Sequence, residues 1–137
     1  MSNPLIPIPT PETLPYWAGL REERLKLCHC HDCNEYYFPP CVVCQHCTSR
    51  NIEWQAVSGK ATLYSYVINH RPVPEWKAAG PMSVALVDLA EGPRLISSIV
   101  NCEQTPAALR LDMPLQAVYR DFAGTMMLCF EPAGDAL

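Results

Sequence analysis

From Ser58 onward the chain falls into short runs in which apolar and polar residues alternate: Lys60 to His70, Met82 to Leu89, Arg94 to Val100, Leu115 to Arg120 and Met126 to Phe130. A two-residue period sends alternate side chains to opposite faces, so each run reads as a strand with one face turned to a core. Five strands within about 75 residues predict a small closed barrel. The connections differ in kind. Ala90-Glu91-Gly92-Pro93 has the chemistry of a hairpin turn, whereas Arg71 to Pro81 is a longer segment with three prolines and a glycine. Thr105-Pro106-Ala107-Ala108-Leu109-Arg110 reads as a capped single helical turn, and Asp112 with Met113-Pro114 turns the chain into the fourth barrel strand. A short helix at that point suits a five-stranded barrel of the OB type.

Upstream the pattern changes. Pro4, Pro7, Pro9 and Pro11 leave little to bury and predict an extended arm. Thr13 is placed to cap a short helix, Pro15 is tolerated in its first turn, and Tyr16, Trp17 and Leu20 then share one face. That face packs on its own domain or docks on a partner subunit. Leu25 and Leu27 alternate into a cysteine-rich stretch, and Ile52 to Val57 reads as the strand that leaves it. The expected organisation is an arm and helix over 1–27, a metal-stapled ribbon over 28–57 and a barrel over 58–137, which makes the chain mainly β.

Composition narrows the functions. Ten Lys and Arg against fourteen Asp and Glu give a formal net charge of −4 with no basic run, which disfavours a polyanion partner. The apolar runs fall far short of the roughly 18 residues that cross a bilayer, and the start lacks a charged-then-apolar signal pattern, so a soluble cytoplasmic protein is expected. Of eight cysteines, six crowd into residues 28 to 47. Without a secretion signal, that crowding favours a metal site in a reducing compartment over a disulfide framework.

Cys30-His31-Asp32-Cys33 and Cys44-Gln45-His46-Cys47 are two Cys-x-x-Cys turns with ten residues between them. Each turn can aim two thiolates inward, so that four sulfurs surround zinc at about 2.3 Å. The interval suits a hairpin that carries the knuckles side by side, with Asn34 able to take a left-handed turn and Thr48 a poorer residue for that task. Four thiolates fill a tetrahedral shell and leave no open position, so the zinc would support folding and not chemistry. Register has a competitor, because Cys41-Val42-Val43-Cys44 is also Cys-x-x-Cys and Cys28, His29 and His31 stand close to the first pair. Matching knuckles favour Cys30, Cys33, Cys44 and Cys47. Cys28 and Cys41 are then free thiols beside the site, and Cys102 and Cys129 are small buried residues of the barrel. His29, His31 and His46 read as exposed ribbon residues or as groups supporting the ligands.

No Gly-x-Ser-x-Gly elbow, phosphate loop or His-Glu-x-x-His helix is present, and no catalytic residue is assigned. The order helix, two-knuckle ribbon, barrel resembles the acyl-CoA-associated OB-fold family with a rubredoxin-like zinc ribbon, over nearly the whole chain. The residues that carry the resemblance are Tyr16-Trp17, Leu25 to Cys33, Phe38-Pro39-Pro40, Cys44 to Cys47, Gly59 to His70, Arg71-Pro72, Val84 to Leu89, Gly92-Pro93 and Met113-Pro114. The sequence departs from that family where Asn34 and Thr48 replace the usual glycines after the knuckles and Asp112 the usual glycine before Met113, and in carrying Cys28 and Cys41.

The resemblance implies a non-catalytic accessory subunit that assembles with a thiolase-superfamily enzyme, a thiolase or thiolase-like aldolase acting on acyl-CoA thioesters. The alternative keeps the complex and changes the enzyme to a hotdog-fold enoyl-CoA hydratase. For a CoA thioester, His70, Arg71, Trp76 and Lys77 could supply cations and apolar surface around the proline-stiffened loop, or that loop carries ordinary solvated charges. Tyr16, Trp17 and Leu20 are the candidate partner-binding residues. A weaker alternative is a single-stranded nucleic-acid module stacking bases on Tyr64, Tyr66 and Trp76, although residues 58–137 hold six basic and eight acidic side chains. Alternate tyrosines in a strand more commonly fill a barrel.

Overall fold

The structure, a computed structural model, describes residues 7–71, 80–122 and 124–133 of the chain. Trp76 and Lys77, with most of the proline-bearing loop, lie outside the described residues. Chain contacts divide the protein into two compact units, one of Met1–Ser58, Glu91–Pro93 and Tyr119–Leu128, the other of Gly59–Ala90, Arg94–Val118 and Cys129–Leu137.

The first unit opens with α1 (Leu14–Arg21), followed by β1 (Lys26–Cys30), β2 (Tyr36–Tyr37) and β3 (Ile52–Ala56). Thr13 stands at the helix N-cap, but its side chain does not cap the helix. Its hydroxyl instead accepts the Thr10 N–H at 2.9 Å, and the Thr10 carbonyl takes the N–H groups of Thr13 and Leu14. A polar turn before the helix thus does the work expected of the Thr13 side chain. β1 is the centre of a three-stranded antiparallel sheet ordered β2-β1-β3. Leu20, Leu25 and Leu27 are completely buried, and burying each such side chain contributes roughly 1.5–3 kcal/mol. Tyr119 ties into this unit by accepting the Leu25 N–H on its hydroxyl at 2.9 Å.

The barrel strands are β4 (Lys60–Asn69), β5 (Met82–Leu89), β6 (Arg94–Ser97), β7 (Pro114–Phe122) and β8 (Thr125–Pro132), in sheet order β6-β5-β4-β7-β8. β6 stops three residues before the expected Val100, for a physical reason. Ser98 to Val100 leave β5 and meet Phe130 instead, with Val100 N–H to the Phe130 carbonyl at 2.7 Å and Phe130 N–H to the Ser98 carbonyl at 3.0 Å. The resulting parallel bridge, Ile99 to Phe130, brings the ends of the strand order together and curls the sheet into an OB-type half-barrel. Phe130, Leu63, Leu115 and Val87 fill its interior. Ser83, also fully buried, donates its hydroxyl to the Ile99 carbonyl and accepts the Ile99 N–H, so no polar atom is left wanting there. The expected turn after β6 is present, as Thr105 takes the N–H of Leu109 on its carbonyl and Leu109 caps the core.

A register shift in the β4–β5 ladder between Leu63 and Ser65 changes which side chains face the core. Buried Ala61 and Leu63 set the inward face of β4, so Tyr64 is an outer-face residue and not barrel filling, and the bulge leaves Ser65 exposed beside it. The Arg94 guanidinium lies 3.5 Å from its ring centroid and bonds the Asp88 carboxylate at 2.6 and 3.2 Å. That lid occupies a ring face which base stacking would need. Further along the same outer face, Val67 pairs with Val84 and Leu86 with Ile96 across the strands, and Val67, Val84 and Ile96 are exposed.

Candidate metal centre

Two turns of the same construction bring the four expected sulfurs together. In the first, Cys30 N–H bonds the Glu35 carbonyl and Asn34 N–H returns to the Cys30 carbonyl; in the second, Cys44 N–H bonds the Ser49 carbonyl and Thr48 N–H returns to the Cys44 carbonyl. Closing each turn this way requires a left-handed residue four positions after its first cysteine. Asn34 has φ 61° and Thr48 φ 65°.

The sulfurs of Cys30, Cys33, Cys44 and Cys47 all lie within 4.8 Å of one another. Cys30 and Cys47 are 3.5 Å apart, Cys33 and Cys44 3.6 Å. A tetrahedron with metal–sulfur bonds of about 2.3 Å has edges of about 3.8 Å, so the cluster is close to the size zinc requires. The backbone prepares these sulfurs for negative charge. Each accepts an N–H from the residue two positions on: Cys30 from Asp32, Cys33 from Glu35, Cys44 from His46 and Cys47 from Ser49. Such donors offset the charge of a thiolate and are wasted on a neutral thiol. The Cys33 N–H, helped by that of Asp32, draws the Cys30 thiol down to about 6, whereas burial pushes Cys33 up to about 12. The donor set therefore fits a four-thiolate metal such as zinc, and the filled shell has no place for a substrate.

Around this centre, Asp32 ties the two turns together by accepting from the Ser49 hydroxyl and, at 3.1 Å, from the Asn51 side chain. His31 meets Glu53 at 3.2 Å, and His46 is exposed. His29, expected as an exposed ribbon residue or as a group supporting the ligands, is not exposed. It is 8% exposed, stacks on Tyr36, and its Nε2 is 2.9 Å from Asn34 Oδ1, while its Nδ1 is buried with no partner among the described residues. Both faces of β1 are covered, since Leu27 to Cys30 are buried in succession, which is readable only once the strand's neighbours are known.

Of the other residues singled out, Leu20 is fully buried within its own unit, and Tyr16 and Trp17 are half-buried. Tyr16 packs on Phe38 with ring centroids 5.5 Å apart. His70 and Arg71 are exposed at the end of β4. Cys102 and Cys129 are only partly buried, short of the full burial expected. A shallow cavity lined by Glu35, Tyr36, Tyr37, Phe38, Gln45, His46, Gly92 and Pro93 was not anticipated from the sequence.

A cysteine-cornered three-stranded ribbon together with an OB-type barrel defines a class, and comparison with known proteins makes it particular. Residues 17–53 match the family described as the ChsH2 rubredoxin-like zinc ribbon domain, and residues 54–120 the ChsH2 C-terminal OB-fold domain. A DUF35 domain-containing scaffold protein of Methanothermobacter thermautotrophicus is 31% identical over 80% of this chain and 82% of its own. The chain belongs to the DUF35 family of ChsH2-type zinc-ribbon and OB-fold proteins. The alpha subunit of the 3-oxo-4,17-pregnadiene-20-carboxyl-CoA hydratase of Mycobacterium tuberculosis is 28% identical over 88% of this chain, a match that spans only 38% of that protein. Among solved structures, a chain of the Ltp2-ChsH2(DUF35) aldolase superposes with a TM-score of 0.80 at 26% identity, covering 93% of this chain and 98% of that one. Among the described residues no helix is long and apolar enough to cross a membrane.

Proposed function

We propose that the protein is a non-catalytic accessory subunit of a cytoplasmic complex, assembled with a thiolase-superfamily enzyme, a thiolase or thiolase-like aldolase acting on acyl-CoA thioesters. Its working parts are the arm and helix over 1–27, the ribbon over 28–57 and the barrel over 58–137. The observation that carries the reading is the fit to the DUF35 chain of an aldolase complex over 98% of that chain, which leaves little of it without a counterpart here. Relatives named as scaffold proteins agree with a role in assembly. Zinc held by Cys30, Cys33, Cys44 and Cys47 supplies folding free energy to a ribbon whose own core is small.

Two surfaces serve the enzyme partner in this reading. The outer sheet face with Val67, Val84 and Ile96 exposes apolar cross-strand pairs that water solvates poorly, the kind of patch a subunit interface covers. Tyr16 and Trp17, half-buried on α1, form the second contact. For a CoA thioester, His70 and Arg71, exposed at the end of β4, with Lys77 supply cations for the phosphates, and Trp76 supplies apolar surface for the adenine or acyl part.

The test is affinity purification of the tagged chain from its native host, with mass spectrometry of what accompanies it. Stoichiometric recovery of a thiolase-like protein supports the proposal, and recovery of neither it nor any other acyl-CoA enzyme overturns it. A second reading, an accessory subunit of a hotdog-fold enoyl-CoA hydratase, is favoured by the two hydratase alpha subunits among the relatives. Co-purification of a hydratase in place of the thiolase relative decides for it.

A further inference from the structure

Cys28 and Cys41 have no part in the centre described above. Strand register sets Cys28 opposite Tyr37, with its side chain 2% exposed. The chain then turns through Phe38, Pro39 and Pro40, and Cys41 comes back over the same spot. Two contacts hold its backbone there. The Tyr37 hydroxyl donates to the Cys41 carbonyl, and the Cys41 N–H donates to the Cys28 sulfur. A sulfur that accepts another cysteine's own amide lies within a side chain's length of that cysteine's Cα, and disulfides form across Cα separations of about 4.4–6.8 Å. Exposure divides their roles, since Cys41 is open to solvent and Cys28 is not.

We infer that Cys28 and Cys41 form a redox pair in which a hydroperoxide oxidises Cys41 and Cys28 traps the product as a disulfide, sparing the four clustered cysteines. In the first step the Cys41 sulfur takes the terminal oxygen of the hydroperoxide. The O–O bond breaks, a sulfenic acid forms, and the alkoxide leaves with the thiol proton as an alcohol, or as water from hydrogen peroxide. In the second the Cys28 sulfur attacks that of Cys41, the S–O bond breaks, and hydroxide leaves with the Cys28 proton as water. Two thiols are oxidised and one peroxide bond is reduced. The new link closes segment 28–41, which carries Cys30 and Cys33, so the oxidised ribbon keeps its first turn pinned. Cys47 is the other exposed cysteine of the ribbon, and its protection rests on the zinc reading, because a sulfur bound to metal has less electron density to offer.

The test uses the full chain with its zinc content measured at the outset. After a few equivalents of hydrogen peroxide, free thiols are alkylated, zinc is removed, and the remaining thiols are given a second label. Digestion after Lys, Arg and Glu separates Cys28 from Cys41 at Glu35, and the peptides are mapped by mass spectrometry without reduction. The expected result is a single Cys28–Cys41 link reversed by dithiothreitol, with zinc retained. Cys41→Ser, at an exposed position, abolishes the link and loses zinc at the same peroxide dose; Cys28→Ser stops at a Cys41 sulfenic acid trapped by dimedone. Links among Cys30, Cys33, Cys44 and Cys47 with Cys28 and Cys41 both alkylated overturn the inference. A protein that starts without zinc overturns the zinc reading, and the Cys28–Cys41 link still decides this one.

Discussion

Thr48→Gly should stabilise the protein, and the matching change in the other turn should not. Thr48 sits at φ 65°, where a β-branched side chain crowds its own backbone at a cost of about 1–2 kcal/mol. Glycine removes that cost and returns roughly 0.5–1 kcal/mol of it through the greater freedom of the unfolded chain. The net gain is about 0.5–1 kcal/mol, or roughly 1–4 °C in Tm for a chain of this size. Asn34→Gly relieves less, because asparagine tolerates the left-handed region, and it removes the 2.9 Å bond to His29 Nε2. His29 is 8% exposed and its Nδ1 already lacks a partner among the described residues, so both ring nitrogens would be stranded at a cost of about 1–3 kcal/mol. Thermal unfolding of the zinc-loaded proteins, followed by circular dichroism, should move Tm up for the first and down for the second. The reasoning fails if Thr48→Gly lowers Tm, or if the two variants move in the same direction by the same amount.

Replacing Cys33 or Cys47 by Ser should release zinc and unfold the ribbon, whereas Cys102→Ser should leave metal content unchanged, as read by a colorimetric zinc assay. Burial pushes the Tyr119 phenol up, so the fold favours its neutral form; this stability is complete below the unfolded value of about 10 and is lost as pH rises through the folded one. Tyr119→Phe should therefore flatten the alkaline fall in Tm while lowering Tm at neutral pH, since the Leu25 N–H loses its acceptor. Ile96→Asp, at a side chain 73% exposed, should change Tm by less than about 0.5 kcal/mol equivalent yet cut recovery of the enzyme partner tenfold or more. Gly59→Ala should be strongly destabilising. Gly59 has φ 78°, and an added Cβ would meet Ala117 Cβ at 2.9 Å and Gln116 Nε2 at 2.8 Å.

How far the sequence could be read depended on whether a feature was local. The knuckles were legible because four-thiolate coordination demands a spacing that few other constraints produce, and the structure gathers those four sulfurs. The barrel strands were legible where alternation survives, as along β5, in which every second residue from Ser83 to Leu89 is buried. What escaped was decided by neighbours distant in sequence. Tyr64 looked like barrel filling, but buried Ala61 and Leu63 set the inward face of β4 and leave Tyr64 on the other, and β6 ended early because Ser98 to Val100 bond Phe130, some thirty positions on. Thr13 had the residue type of a cap, but Thr10, three positions earlier, held its hydroxyl. His29 was hidden for the same reason, as its covered face is made by Tyr36 and Asn34.

The three positions at which the resemblance implies glycine show how a backbone constraint outweighs residue type. Asn34, Thr48 and Asp112 all stand at positive φ, at 61°, 65° and 67°. All three hold the left-handed conformation that glycine takes most easily, Asn34 and Asp112 at less cost than β-branched Thr48. At Asn34 and Thr48 the reason lies in the turns, because the left-handed residue is what returns its N–H to the carbonyl of Cys30 or Cys44 and aims the knuckle's donors at its sulfurs. At Asp112 the same conformation lets its N–H reach the Leu63 carbonyl at 2.7 Å while the Leu63 N–H bonds the Met113 carbonyl, a reciprocal pair that seats Met113 in the barrel core. A strain of about 1–2 kcal/mol at Thr48, and less at Asn34 and Asp112, is smaller than what those closures secure, which for the two knuckles is a site whose metal would contribute on the order of 10 kcal/mol to a small ribbon. The turn geometry thus outweighs the residue type that fills it, and stripping zinc from the protein should shrink the advantage of Thr48→Gly, since the turn is then free to relax.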